Sequence, residues 1–267
     1  MRRFLTDIYA RFIIRIKYRK GFASCDKVLT LGRKIMSSHD KGMVWDHADD
    51  FSKVLILALA QNIHRLQSIR GLAAMGLAKD AIPLIRSMFE DFANMHYMYT
   101  KKESVKDFID YGIFLQIRSA EGLLASGATF DRSAVEQKMK SLNEQWQLVR
   151  GRFLTKKGGI HERWNKKSLA DTCKEVDLWE VYNTSYRYFS GYVHLNSLNV
   201  NNYVEGLTDD GMISVTIGTS EAMVNEALHV GAGTFIGLLG IASDEHKMGF
   251  ENELEKVSLR LHKRNVK

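Results

Sequence analysis

The stretch DAIPLIRSMFEDFANMHYMY, residues 80–99, decides the fold class of this chain: Ile85, Met88, Phe92, Met95 and Tyr99 recur at intervals of three, four, three and four. An α-helix turns about 100° per residue, so this spacing lines one face with large apolar side chains, whereas a strand would need alternation. Asp80 precedes the run, and Pro83 falls in its first turn, where the missing N–H costs little. Pro83 is also the only proline in the chain, so long periodic runs elsewhere meet few breakers.

The same period extends in both directions. Residues 24–37 form a short helix. Asp49 or Asp50 caps a longer one carrying Phe51, Val54, Leu55, Leu59, Ile63 and Leu66, loosened near Gly71 and Gly76. A helix over 103–126 uses Phe108, Tyr111, Leu115 and Ile117. After the GATFDR break at 127–132, Val135, Met139, Leu142, Trp146 and Val149 recur at four, three, four and three, the seam of packed antiparallel helices. From Asp177 a further stripe of Leu178, Tyr182, Tyr186, Phe189 and Val193 is buried. Between Tyr203 and Ile217 the helical theme breaks: Asp210-Gly211 is a turn, and Ile213, Val215 and Ile217 alternate as in a short strand. Ser220 caps a helix over Glu221–Ala242, in which Gly231, Gly233, Gly237 and Gly240 mark close helix contacts. A last helix covers about 251–262. The prediction is an all-α chain, a single multi-helix, bundle-like domain of about eight helices with a β-hairpin or irregular insertion near 203–217. Residues 1–44 read as a basic N-terminal helical extension and 45–262 as the helical domain.

A chain of 267 residues that is 45% hydrophobic can bury a sizeable core, which excludes disorder of the whole. Lys and Arg number 38 against 31 Asp and Glu, a net charge of +7 that suits a polyanion without requiring one. Cys25 and Cys173 are remote from each other and belong to no CxxC pair, which points to a reducing, cytoplasmic setting and away from a cysteine metal site. The longest low-charge stretch, Val230–Ala242, holds 13 residues, too few to span a bilayer. Seven Arg or Lys and one Asp fall in the first 20 residues, between Phe4, Ile8, Phe12 and Tyr18. No uncharged secretion core follows them. This segment either packs on the body with its charges in solvent, or lies on anionic membrane or RNA.

Chemistry gathers around residue 190. Asn183, Arg187, Ser190 and His194 form a polar line on an apolar helix, with Arg187 and His194 seven apart and nearly eclipsed. Arginine binds phosphate oxygens in bidentate fashion, and histidine exchanges a proton near neutral pH. Together they suit RNA cleavage by the neighbouring 2'-hydroxyl without a metal or cofactor. Arg86 and Glu90 stand one turn apart as a support for that site, extended by Asn94 and Tyr97, or as an ordinary ion pair. The loop KKGGIHERWNKK, residues 156–167, offers Lys156, Lys157, His161, Arg163 and Trp164 to a nucleic acid through charge and stacking, or is simply solvated. His64, Glu90, His96, His194 and His229 could be ligands of a metal-dependent hydrolase only if remote helices assembled them, since no HExxH occurs. A non-enzymatic helical scaffold or regulatory protein, docking a partner through its basic segments, is the remaining reading.

The segments RSMFEDFANMHYM (86–98), YRYFSGYVH (186–194) and DDGMISV (209–215) resemble a large uncharacterised all-helical bacterial family carrying an Arg-x3-Glu helix and a Ser-x3-His helix, over roughly residues 45–245. Arg187 to His194, with six intervening residues, is similar to the Arg-x4-6-His pattern of the HEPN superfamily, although Tyr188 stands where a polar residue often follows the arginine. That resemblance implies a helical, commonly homodimeric, metal-independent ribonuclease of toxin–antitoxin or antiphage defence. It implies catalytic roles for Arg187 and His194, support from Glu90, and a protein partner in such a system.

Overall fold

The protein is described by a computed structural model over residues 2–37, 49–193, 204–207, 213–215 and 218–262. It is an all-helical fold. α1 (Arg2–Lys17) runs into α2 (Arg19–Met36) through a break at Tyr18, followed by α3 (Asp50–Ala74), α4 (Ile82–Thr100), α5 (Val105–Ala125) and α6 (Arg132–Val149). The short α7 (Leu169–Glu175) leads to α8 (Trp179–Val181), a π-helical stretch (Tyr182–Tyr186) and α9 (Arg187–Val193). α10 (Val224–Glu245) and α11 (Glu251–His262) close the chain. Asp49 caps α3 by accepting from the Ser52 N–H at 2.8 Å, and Pro83 sits in the first turn of α4, both where the sequence places them.

α10 is the central element, packed against α2, α3, α4 and α11. It is the one described helix long and apolar enough to cross a membrane by length and composition, longer than the 13-residue stretch counted from its sequence because polar residues flank that stretch. Burial of its Phe235, Leu238 and Leu239 among α2, α3 and α4 accounts for the apolarity. Its glycines divide into two kinds. A Cβ on Gly237 would come within 2.6 Å of the Phe92 ring and one on Gly231 within 3.4 Å of Ile69 and Leu66, as expected for close contacts. Gly233 and Gly240 have nothing within 4 Å and serve no such approach. The helix begins at Val224, preceded by Met223 in a left-handed conformation, so Ser220 lies in the entering turn rather than at the cap.

Among the described residues one hydrophobic core runs through the fold, and α2 contributes Cys25, Val28, Leu31 and Ile35 to it. α1 adds Ile14 to the same core. The 208–212 turn lies outside the described residues, but Val204–Leu207 and Ile213–Val215 pair as an antiparallel hairpin in the expected place, with an irregularity between Val204 and Gly206. α5 and α6 pack side by side, Phe114 of α5 stacking on Trp146 of α6 and Trp146 on Phe153 in the turn that follows. Leu115, expected in this seam, is exposed, on a part of the α5 surface that α6 does not cover.

Candidate functional site

The site is built where the α8–α9 segment lies on α4. Tyr182–Tyr186 hydrogen-bonds in the wide π pattern, the Arg187 N–H reaching the Tyr182 carbonyl. Such turns are rare, are locally less favourable than an α-helix and recur at functional positions. What holds this one is aromatic packing and a polar clasp. Trp179, Tyr182 and Tyr186 stack in succession with ring centroids 5.5 and 5.2 Å apart, and Tyr186 continues onto Phe89 of α4 at 5.3 Å.

The clasp is centred on the Tyr186 hydroxyl. Arg86 Nη2 donates to it at 2.9 Å, and it donates to Glu90 Oε1 at 2.6 Å. The Arg86 guanidinium also lies over the Tyr186 ring, 4.9 Å from its centroid, adding a cation–π attraction. Arg86 and Glu90 are thus joined through a phenol, not by the direct i,i+4 ion pair open in the sequence. Half-burial pushes the Tyr186 hydroxyl above its ordinary range, and the carboxylate of Glu90 adds to the shift. The phenol stays protonated and keeps donating.

Above the clasp, Arg187 and Asn183 are exposed. Arg187 Nη1 donates to Asn183 Oδ1 at 2.9 Å, one turn back across the π stretch. Ser190 is half-buried, and its hydroxyl donates to the Tyr186 carbonyl at 2.9 Å, which leaves only its acceptor lone pairs for other groups. His194 lies outside the described residues. Glu90 bonds Tyr186 rather than Arg187, so any support it gives is relayed through the neighbouring residue.

The 156–167 loop divides. Lys156 and Lys157 are exposed at the tip of a tight hairpin, where the Thr155 N–H meets the Gly159 carbonyl at 2.7 Å and Gly158 adopts φ +81°. His161 is half-buried, its carbonyl accepting from the Tyr111 hydroxyl at 2.7 Å. Trp164 is 6% exposed, wedged edge-on against Tyr97 and Phe108, with Nε1 donating to Asn94 Oδ1 at 3.3 Å. It is a core residue and is not available to stack on a base. Arg163 is half-buried and also reaches Asn94 Oδ1, at 3.5 Å. The run of charges around Trp164 suggested a solvated loop; three surrounding aromatic and amide groups bury it instead.

Among the described residues no three His, Cys, Asp or Glu side chains converge closely enough to hold a metal ion. His64 is exposed on α3, while His96 on α4 stacks on Phe92. Sequence reasoning missed a second polar group. Asp91 is bound by Arg65 and by Asn62 Nδ2 at 2.9 Å, beside a pocket of about 250 Å³ lined by Leu57, Gln61, Asn94 and Met95. A buried asparagine one turn from an arginine was its only trace.

Residues 52–213, more than half of the chain, match the model of a family of unknown function, DUF5677. This span holds α3 to α9, hence both halves of the clasp and Arg187, and leaves out α1, α2, α10 and α11. No curated protein and no solved structure matches the chain.

Proposed function

The chain belongs to DUF5677, a family of unknown function, and from that footing we propose that it is a metal-independent endoribonuclease of the HEPN kind, acting in bacterial stress or antiphage defence. The observation that carries this reading is Arg187: an exposed guanidinium held at 2.9 Å by Asn183, on a π-entered helix clamped to α4 through Tyr186. A cation fixed at an open surface loses little freedom on binding a phosphodiester and is already aimed when charge grows on it.

In the proposed reaction the ribose 2'-oxygen attacks phosphorus and the bond from phosphorus to the 5'-oxygen breaks. His194 accepts the 2'-proton, and Arg187 neutralises charge on the non-bridging oxygens. Asn183 and Ser190 orient these two. The 5'-oxygen leaves with a proton from a second acid, which the same histidine of a partner copy supplies in a homodimer. Products carry a 2',3'-cyclic phosphate and a 5'-hydroxyl. Wild type and His194→Ala are incubated with total RNA in EDTA. The reading expects wild-type cleavage to persist, with those ends, and the variant to be slower by roughly 10²-fold or more. Equal activity of the two, or a strict need for divalent metal, contradicts it.

A second reading, a non-enzymatic interaction protein, is favoured by one feature of the same helix segment. Trp179, Val181 and Tyr188 are exposed there, an apolar surface suited to a protein partner. Absence of cleavage across varied RNAs, with a partner lost on Trp179→Ala, supports that alternative.

A further inference from the structure

Among the described residues, α1 meets the body along the edge that carries Ile14 and Lys17. Ile14 is buried against Gly76, whose φ of +72° turns the chain at the end of α3; an added Cβ there would meet Ile14 Cδ1 at 3.0 Å. Lys17 pairs with Glu221, and the Tyr18 hydroxyl reaches the same carboxylate at 3.5 Å. The opposite face carries Ile8, Tyr9, Phe12 and Ile16, all exposed, with Tyr9 at 66% and Phe12 at 58%. Spaced four apart, Ile8, Phe12 and Ile16 form a continuous stripe, and Tyr9 widens it. Arg11 and Arg15 are exposed beside it, Arg19 is exposed at the start of α2 just past the break, and none of the three makes an ion pair among the described residues. The helix has one carboxylate, Asp7, and that residue is half-buried and turned toward Gly218.

We infer that α1 is an interfacial helix that seats the protein on an anionic lipid surface, with Ile8, Phe12 and Ile16 entering the headgroup–acyl boundary and Arg11, Arg15 and Arg19 meeting lipid phosphates. Charge selects the occupant. An antiparallel two-fold pairing of this face with a second copy would set arginine against arginine, with the helix's one carboxylate, Asp7, turned away toward Gly218. RNA would satisfy the arginines but leave two isoleucines against a polyanion, and isoleucine has no π-face on which a base can stack. An anionic bilayer answers both parts of the face: it takes apolar side chains out of water and attracts the flanking cations. The edge fixed by Ile14 and Lys17 lies opposite, so the helix can lie flat with the body above it.

The test is co-sedimentation of the full-length protein with vesicles of phosphatidylcholine alone and of phosphatidylcholine mixed with phosphatidylglycerol. Binding is expected to the anionic vesicles, weak or none to the neutral ones, and to fall as salt is raised. Phe12→Ser is expected to weaken it by about tenfold or more, the loss when one large apolar side chain no longer leaves water. R11E/R15E is expected to abolish it, and far-UV circular dichroism should show both variants folded, since each altered side chain is exposed. No binding of wild type to anionic vesicles overturns the proposal. So does binding indifferent to Phe12→Ser, which would reduce the face to a site for any polyanion, RNA included. A wild-type dimer that Phe12→Ser dissociates, without vesicle binding, would assign the face to self-association instead.

Discussion

Tyr186 holds together three things that the chain places far apart: the cation of Arg86, the carboxylate of Glu90 and the backbone turn leading into Arg187. Replacing it with Phe keeps the stacking on Tyr182 and Phe89 but leaves two charged groups without their shared partner in a half-buried place. We expect Tyr186→Phe to cost about 1–3 kcal/mol in urea unfolding at neutral pH, the usual penalty for stranding such groups. A loss no larger than that of an exposed substitution would mean that water replaces the hydroxyl. His96 makes a different prediction. Burial lowers its pKa from the ordinary 6.5, opposed in part by Asp177, and its Nδ1 has no hydrogen-bond partner among the described residues. Below pH 6.5 the unfolded chain takes up the proton before the folded one does, so stability present above that pH is lost as pH falls through the depressed folded value. Between pH 7 and pH 5 the wild-type urea midpoint should therefore fall more than that of His96→Gln. Parallel pH profiles for the two would show that His96 ionises as easily folded as unfolded.

At the level of elements, periodicity carried most of the information. The stripe of α4 is buried at Ile85, Met88 and Met95, with Phe92 and Tyr99 packed on the core's margin, and the caps at Asp49 and Pro83 stand where local backbone chemistry requires. Sequence patterns failed where a residue's setting depends on contacts distant in the chain. Trp164 sits among charges in sequence and among Asn94, Tyr97 and Phe108 in space. Gly233 and Gly237 look alike as letters, yet only the second faces a ring. For the candidate site, Arg187 and Asn183 were legible from their helical spacing. The Tyr186 hydroxyl was not, because a tyrosine in an apolar stripe reads as packing until the partner helix is known. A glycine pair tests this level. A Cβ at Gly32 of α2 would fall 2.7 Å from the ring of Phe235, which is fully buried and has nowhere to move, so Gly32→Ala should destabilise by about 1–3 kcal/mol. Gly233→Ala, in open space within α10, should instead stabilise by about 0.5–1 kcal/mol through helix propensity. Equal effects on the thermal midpoint would refute the packing assigned to these two helices.

For the molecule as a whole, one core built around α10 fixes α4, and α4 in turn presents α8–α9 with its cation outward while α1 stands off at the other attachment. The proposed chemistry needs that rigidity: Arg187 contributes to a reaction only if it is in place before the phosphodiester arrives. Its substitution should separate cleanly from a structural defect, since its side chain is exposed and bonded only to Asn183 among the described residues. The most direct test is the initial rate of RNA cleavage in EDTA by Arg187→Ala relative to wild type, in preparations whose urea midpoints are shown to coincide. A rate lower by roughly 10²-fold or more is the result predicted for a residue that neutralises charge in the transition state. Cleavage at the wild-type rate, or a wild-type protein that cuts no RNA, would contradict it.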